Sequence, residues 1–465
     1  MEGANVPGKH HMERKGDVPV FGSYDVVVAG GGLAGVAAAA AAARAGARTM
    51  LVEKQPFAGG IAIAGMEPSI CNFFLNNRRE LILGGCPHEV VDRLVKRGGA
   101  PAAWRKHRGH IIFDVEIGKL VLDEMLEDAG VEILYDTLVV GVAPDGGRVR
   151  GLEVANRSGL QLIEAACVVD ATGDNDVAAR AGAPLNVGPM PHSFLFRLGN
   201  VDVDALVQYI RDNPSEHFAD RDVGLTLEEA LAFYEETGTF LFHHHAAERM
   251  RLVQGPIEQG RYSKQWGPFH TMDAFQVHAI RASGTMVVNT GYFALEEPDG
   301  ARMSHFLRQG RKMAHHVAAF MREHFPGCGR SFVVATAGAL GIRRTRWLKV
   351  AFTLTREIYD TGPSYPDAVG RGVVITKSPM HLTDKTFDIP LRCLLPDGVD
   401  GLVVGSGRGA SCLPAELLRT MPVTMAVGQG AGVVAAVAAK GSVPPRAVSM
   451  SAVRDELRRQ GVNLG

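Results

Sequence analysis

The residues of this chain best suited to chemistry are a tight cluster of glycines, one acidic residue at a set distance from it, and scattered arginines and histidines. Gly30-Gly31-Gly32-Leu33-Ala34-Gly35 satisfies G-x-G-x-x-G, and Glu53 follows Gly35 by 18 residues. Such a turn serves a pyrophosphate. Gly30 permits the tight bend, Gly32 lets backbone approach the phosphates, and Gly35 lets a helix pack closely on a strand. A helix starting at Leu33 and Ala34 offers free N–H groups and a positive dipole end to the same anion. Glu53 can accept hydrogen bonds from ribose hydroxyls, and its charge disfavours a 2′-phosphate. Arg343, Arg344 and Arg346 follow Gly341 on an expected strand and loop. Alternate strand residues share a face, so Arg344 and Arg346 are expected to act together on a carboxylate. Arg419 stands just before a second small-residue helix, and His192 and His270 are candidate acid–base groups.

Other chemistry is disfavoured. His243-His244-His245 cannot put three ligands on one face of a regular element, so no metal is expected. The six cysteines (Cys71, Cys86, Cys167, Cys328, Cys393 and Cys412) contain no C-x-x-C pair. That argues against iron–sulfur and structural zinc sites and for free thiols in a reducing compartment. Cys71 and Cys86 lack the spacing of a redox disulfide.

These residues need elements to position them. Tyr24–Ala29 is a β-branched run expected of a buried parallel strand, and it runs straight into the glycines. An alanine-rich helix follows up to Arg44-Ala45-Gly46, then a second strand, Ala47–Val52, ending at Glu53. After Lys54 comes another glycine pair, Gly59-Gly60. Leu120–Ala129 has helical spacing, and Val131–Val142 reads as two strands broken at Asp136-Thr137. Ala166–Val169 is a strand opening into Asp170-Ala171-Thr172-Gly173-Asp174. Gly401–Val404 is another, opening into Gly405-Ser406-Gly407-Arg408-Gly409. Arg419-Thr420-Met421-Pro422 then leads into a helix over Val423–Lys440 containing Gly428, Gly430 and Gly432.

From about Tyr24 to Val443 the chain resembles FAD-dependent oxidoreductases distantly related to succinate dehydrogenase and fumarate reductase flavoproteins. Further landmarks are Gly84-Gly85 with Glu89, Gly341-Ile342-Arg343 with Arg346, and Phe387–Arg392 leading to Gly407-Arg408. The resemblance implies an α/β fold. It implies a discontinuous, glutathione-reductase-like Rossmann domain that binds FAD, with an α+β substrate domain inserted in it. It implies cofactor contacts from Gly30, Gly32, Leu33, Ala34, Gly35, Glu53, Lys54, Gly59, Gly60, Val139, Ala171, Gly173, Asp174, Gly407, Arg408, Met421, Pro422 and Met425. The last helix would point its N-terminus at the pyrimidine end of the flavin. Two departures stand out. Ser406-Gly407-Arg408 replaces the aspartate usual after the last strand, and Leu413-Pro414 with Leu417-Leu418 makes the pocket more apolar.

Bulk properties agree. At 465 residues the chain suits two or three domains. The expected division is a loose tail over 1–22, the FAD domain over 23–187 and 386–443, a substrate domain over 188–385, and a C-terminal helix or tail over 444–465. Lys plus Arg total 49 against 50 acidic residues, a net charge of −1, which gives no electrostatic case for nucleic acid or an anionic membrane. Arg44 and Arg48 interrupt the apolar stretch Leu33–Val52, so no membrane span is expected there. The polar first 22 residues lack a signal core, which points to the cytoplasm. Long Ala/Gly-rich helices leave room for packing in a homo-oligomer.

The leading expectation is an enzyme moving a hydride between FAD and a small organic substrate, with a carboxylate neutralised by the arginines. Alternatives are an electron-transfer subunit of a larger redox complex and a non-redox flavoprotein. No second dinucleotide fingerprint is present for a nicotinamide, so the electron donor or acceptor is left unnamed.

Overall fold

The computed structural model describes residues 18–71, 73–106, 110–216, 226–242, 247–248, 250–271, 276–375 and 382–465. The His243-His244-His245 run and most of the expected tail lie outside these residues.

The first sheet grows from the strand Val20–Ala29, whose Val26, Val27 and Val28 are wholly buried, as a parallel strand covered on both faces must be. It pairs in parallel with Thr49–Val52 on one side and Gly159–Asp170 on the other. Glu132–Leu134 and Leu402–Val404 extend the parallel set outward. Arg148–Asn156 and Leu138–Asp145 add an antiparallel flank. The connection from the first strand to the second runs through the helix Leu33–Arg44, the crossover that parallel pairing requires. The strands expected between Val131 and Val142 are present and break where Asp136 adopts a positive φ of 53°.

Ten consecutive residues of Leu33–Arg44 are buried because a second helix, Met421–Gly441, lies across them. A Cβ on Gly428 or Gly432 would stand 2.8 Å from the carbonyl carbon of Ala34 or Ala38, so glycine one turn apart is what allows the approach. Among the described residues this closing helix alone is long and apolar enough to cross a membrane. Most of that apolar length, 83%, is buried in this core instead.

The second sheet is antiparallel, in the order Thr239–Phe242, Gln276–Ile280, Thr285–Leu295, Met190–Gly199, Phe332–Thr336. Its strands alternate. Phe194, Phe196, Val277 and Val288 enter a second core under the helix Gly300–His324, where Gly310 admits the Phe194 ring. Ser193, Leu195, Gln276 and Asn289 point the other way. The pairing shifts at Gly291, with φ +64°, and past this bulge Tyr292 lies beneath the Arg343 guanidinium, 5.4 Å from its ring centre.

The helix Leu227–Thr237 is opened by a capping box between Thr226 and Glu229. The hairpin Ala368–Ile375 with Leu382–Pro390 packs into the first core through Val369, Val373, Phe387 and Ile389. The expected substrate segment 188–385 therefore divides between the two cores. Described residues between Phe194 and Ile342 build the second.

Candidate active site

Between the glycine turn, the second sheet and the start of the closing helix lies a cavity of about 750 Å³. Its first end is made almost wholly of backbone. Gly30 has φ +97° and a Cβ there would meet Ala171 O at 2.7 Å; one on Gly35 would overlap Gly30 itself. At Gly32 the nearest atom to an added Cβ is 4.0 Å away, so this backbone is open to the cavity. Gly60 presses on Gly32, where a Cβ would stand 2.9 Å from Cα, and Gly59 N–H donates to Gly31 O at 2.7 Å. The second glycine pair thus braces the first. Glu53, 5% exposed, accepts from the N–H groups of Gly31 and Gln55, which fixes its carboxylate at the cavity wall.

Farther along, Gly173 (φ +95°) makes room for the Arg408 guanidinium, which donates to Ile342 O and stands 3.9 Å from Asp174. Asp174 in turn accepts from Thr345 N–H at 2.9 Å. This explains why the Gly-Arg pair and the A-T-G-D stretch occur together. The closing helix begins at the cavity. Thr420, Met421 and Thr424 line it, Pro422 occupies the first turn, and Thr420 Oγ1 has no hydrogen-bond partner among the described residues.

The far end is charged. Arg419 and Arg343 both line the cavity with Glu67. Burial, then the neighbouring Arg343, press the Arg419 guanidinium below its ordinary value. Its Nε finds no partner among the described residues, and Glu416 stands 3.6 Å from Nη2. Burial pushes the Glu67 carboxyl up to about 7, with Arg343 and Arg419 pulling the other way. Asn289 Nδ2 donates to Glu67 at 2.8 Å, and His278 stands 3.8 Å from it. Cys71 and His110 complete this wall, Sγ 4.0 Å from Nε2, with Ser69 on the other ring nitrogen. Burial holds the Cys71 thiol at about 12, and all six cysteines are free.

Of the residues singled out from sequence, Gly30, Gly32, Leu33, Ala34, Glu53, Lys54, Gly59, Gly60, Val139, Ala171, Gly173, Asp174, Arg408, Arg419 and Met421 line the cavity. Gly35, Gly407, Pro422 and Met425 do not; they set backbone approaches or pack behind it. Arg344 and Arg346 do not share a strand face, because the strand begins only at Arg346. Arg344 is buried against Trp347, 4.1 Å from its ring centre, and donates to Cys412 O; Arg346 pairs with Asp176. His192 is fully buried, with Nε2 2.9 Å from Leu295 O and Nδ1 accepting from Arg343 N–H, so it holds the Arg343 loop. His270 sits on the short strand Phe269–His270 and lines no part of the cavity.

Sequence reasoning passed over Glu67, although it is the sole charged residue between Lys54 and Arg78. It also passed over Asn289 and Gln276, polar interruptions in apolar strands.

The cavity fits FAD on three observations. Backbone open at Gly32 suits a pyrophosphate, a fixed Glu53 carboxylate suits ribose, and an uncapped helix end with an unpartnered Thr420 suits a polar ring edge. Among solved structures the chain is similar to a geranylgeranyl bacteriochlorophyll reductase-like protein from Thermoplasma acidophilum. Identity is 14%, over 94% of this chain and 83% of that one, with a TM-score of 0.44. It is similar also to the myxobacterial chondrochloren halogenase (12%, 94% and 79%, 0.44). A third is p-nitrophenol 4-monooxygenase from Pseudomonas putida (12%, 94% and 83%, 0.40). Comparison with curated proteins finds no match. The family model described as FAD dependent oxidoreductase matches residues 25–457, which cover the first sheet, the cavity and the closing helix. The chain belongs to the FAD dependent oxidoreductase family, and FAD is its cofactor.

Proposed function

We propose that the protein transfers a hydride between a small organic acid and FAD, with Arg419 and Arg343 holding the substrate carboxylate and Glu67 carrying a proton. FAD held along the glycine turn by Gly32, Glu53, Gly60 and Asp174 supplies two-electron hydride chemistry. The observation that carries the reading is the meeting of two arginines and one near-neutral carboxyl group at the start of the closing helix.

Two guanidinium groups close together and partly out of water repel each other, and an anion between them relieves that repulsion. The free N–H groups of the helix start add positive partial charge on the same side. Oxidation of a carbon bearing a hydroxyl or amine needs a proton taken from that group, and reduction needs one supplied. A carboxyl that titrates near 7 does either at neutral pH. His192 and His270, first considered for this step, stand away from the cavity, which favours Glu67.

The test is anaerobic titration of the yellow holoprotein with 2-hydroxy acids, amino acids, neutral alcohols and NAD(P)H. Flavin absorbance near 450 nm is expected to bleach with one carboxylate class, and Arg419→Ala should need about 100-fold more of it. Bleaching by neutral alcohols as readily as by acids would refute the arginine roles.

A further inference from the structure

Three neighbouring strands of the second sheet place Leu195, Asn289 and Gln276 side by side, as direct register partners, facing the cavity. Their chain neighbours Phe194, Val288 and Val277 fill the second core, so alternation makes these positions the cavity face. Asn289 and Gln276 are 4% and 5% exposed. A buried amide is tolerated where its donors and acceptors are met.

Asn289 meets only half of that condition. Its Nδ2 donates to Glu67 Oε2 at 2.8 Å, with Gln276 Oε1 at 3.5 Å. Gln276 Oε1 is an acceptor, and so is Glu67 Oε2, as a carboxylate oxygen or as the carbonyl oxygen when the proton sits on Oε1, which sets the amide with its nitrogen toward them. Oδ1 is thereby left as a buried acceptor with no partner among the described residues. Leaving such an oxygen unpaired costs free energy until a donor reaches it.

We propose that the ligand of this cavity presents a hydrogen-bond donor to Asn289 Oδ1, so that the substrate is an acid carrying a hydroxyl or amine close to its carboxylate. This rests on the carboxylate reading of the arginine pair. The closeness follows from Glu67: Asn289 is bonded to this side chain, and Arg343 and Arg419 act on the same group. Acceptors on one side and cations on the other match a molecule that bears both groups on adjoining carbons. Leu195, in the same row, with Met303 and Leu307 on the cavity wall, leaves an apolar surface for the rest of the substrate. Hydroxyl and ammonium satisfy Oδ1 alike. An ammonium gains further from Glu67 in its ionised form.

The test reads binding, not turnover. Acids with a quaternary carbon beside the carboxylate have no hydride to lose, so holoprotein can be titrated with them by flavin difference spectra. The probes are 2-hydroxyisobutyrate, 2-aminoisobutyrate, 2-methoxyisobutyrate and pivalate. The hydroxy or the amino acid should bind about 10- to 100-fold tighter than pivalate and the methoxy acid, and the tighter of the two names the donor. Asn289→Leu should erase that preference while pivalate affinity stays within about threefold. Equal binding of all four acids by the wild-type protein would overturn the proposal without recourse to a variant, so a misfolded variant cannot hide the answer. Preference unchanged in a folded Asn289→Leu holoprotein would overturn it too. Pivalate that binds wild-type protein and is lost in Arg419→Ala keeps the arginine reading standing whatever the donors do. If none of the acids binds, that reading fails and the proposal fails with it.

Discussion

Replacing Gly428 by alanine inserts one methyl group between the two helices that floor the cofactor site. The added Cβ would stand 2.8 Å from the carbonyl carbon of Ala34 and overlap its oxygen. Comfortable carbon–carbon separation is about 3.5–4.0 Å, so the helices must part locally by roughly 1 Å. What the methyl meets is backbone, which has no rotamer to change. Overpacking of this kind costs about 1–3 kcal/mol, occasionally more. The intrinsic helix preference of alanine over glycine returns about 1 kcal/mol, leaving a net loss of about 1–2 kcal/mol at the upper part of that range. Function should suffer as well as stability, because Ala34 lines the cavity one residue from the phosphate turn. Each 1.4 kcal/mol lost there is about tenfold in FAD affinity. The assay is thermal unfolding with and without added FAD, together with the ratio of flavin to protein absorbance after gel filtration. Gly300→Ala is the control. It opens the helix Gly300–His324 with no described atom beyond its chain neighbours within 4 Å of an added Cβ, and should melt at or above the wild-type temperature. If Gly428→Ala melts at or above the wild-type temperature and keeps its flavin, the close-approach account of the closing helix is wrong.

Three other outcomes are expected. Glu67 has a native value of about 7 against an ordinary 4.5, so the native state holds a proton between those pH values that the unfolded chain has released. Stability should therefore fall as pH rises from 4.5 to 7, by at most about 3 kcal/mol at 1.36 kcal/mol per unit. Glu67→Gln should flatten that slope in melting temperature measured across the window, and parallel slopes would contradict it. Glu53→Ala leaves the N–H groups of Gly31 and Gln55 unpaired and removes the ribose acceptor, so FAD binding followed by fluorescence quenching should weaken about 10- to 100-fold. Arg344→Met should lower the melting temperature by a few degrees, through the lost bond to Cys412 O and the lost stack on Trp347, while leaving carboxylate affinity within about twofold. A large loss of affinity in a stable Arg344→Met protein would restore this arginine to the substrate site.

The cofactor half of the cavity was legible because backbone geometry dictates residue type there. Gly30, Gly60 and Gly173 have positive φ, and Gly35 sits against another chain segment, so no other residue suits and the spacing survives as a motif. The substrate half has no such constraint. Asn289 and Glu67 meet across 222 residues, a separation at which spacing carries no information. Arg344 and Arg346 were expected to share a face because a strand was read one turn of chain too early. Arg343 was named with them but not chosen, and it is the one that lines the cavity. His192 illustrates the reverse error, a polar residue in a strand whose imidazole is consumed by two backbone groups. Glu67 did leave a trace, as a lone charge in an otherwise uncharged stretch, which is an unusual place for a carboxylate with no task.

The contact between Ala34 and Gly428 joins residues about 390 positions apart, which at 5–20 residues per second separates their synthesis on the ribosome by roughly 20–80 s. Throughout that interval the alanine helix has no closing helix to cover it, and the phosphate turn has no floor. A nascent chain in this condition exposes apolar surface that must be shielded by other means. A complete floor under the phosphate turn therefore awaits synthesis of the closing helix.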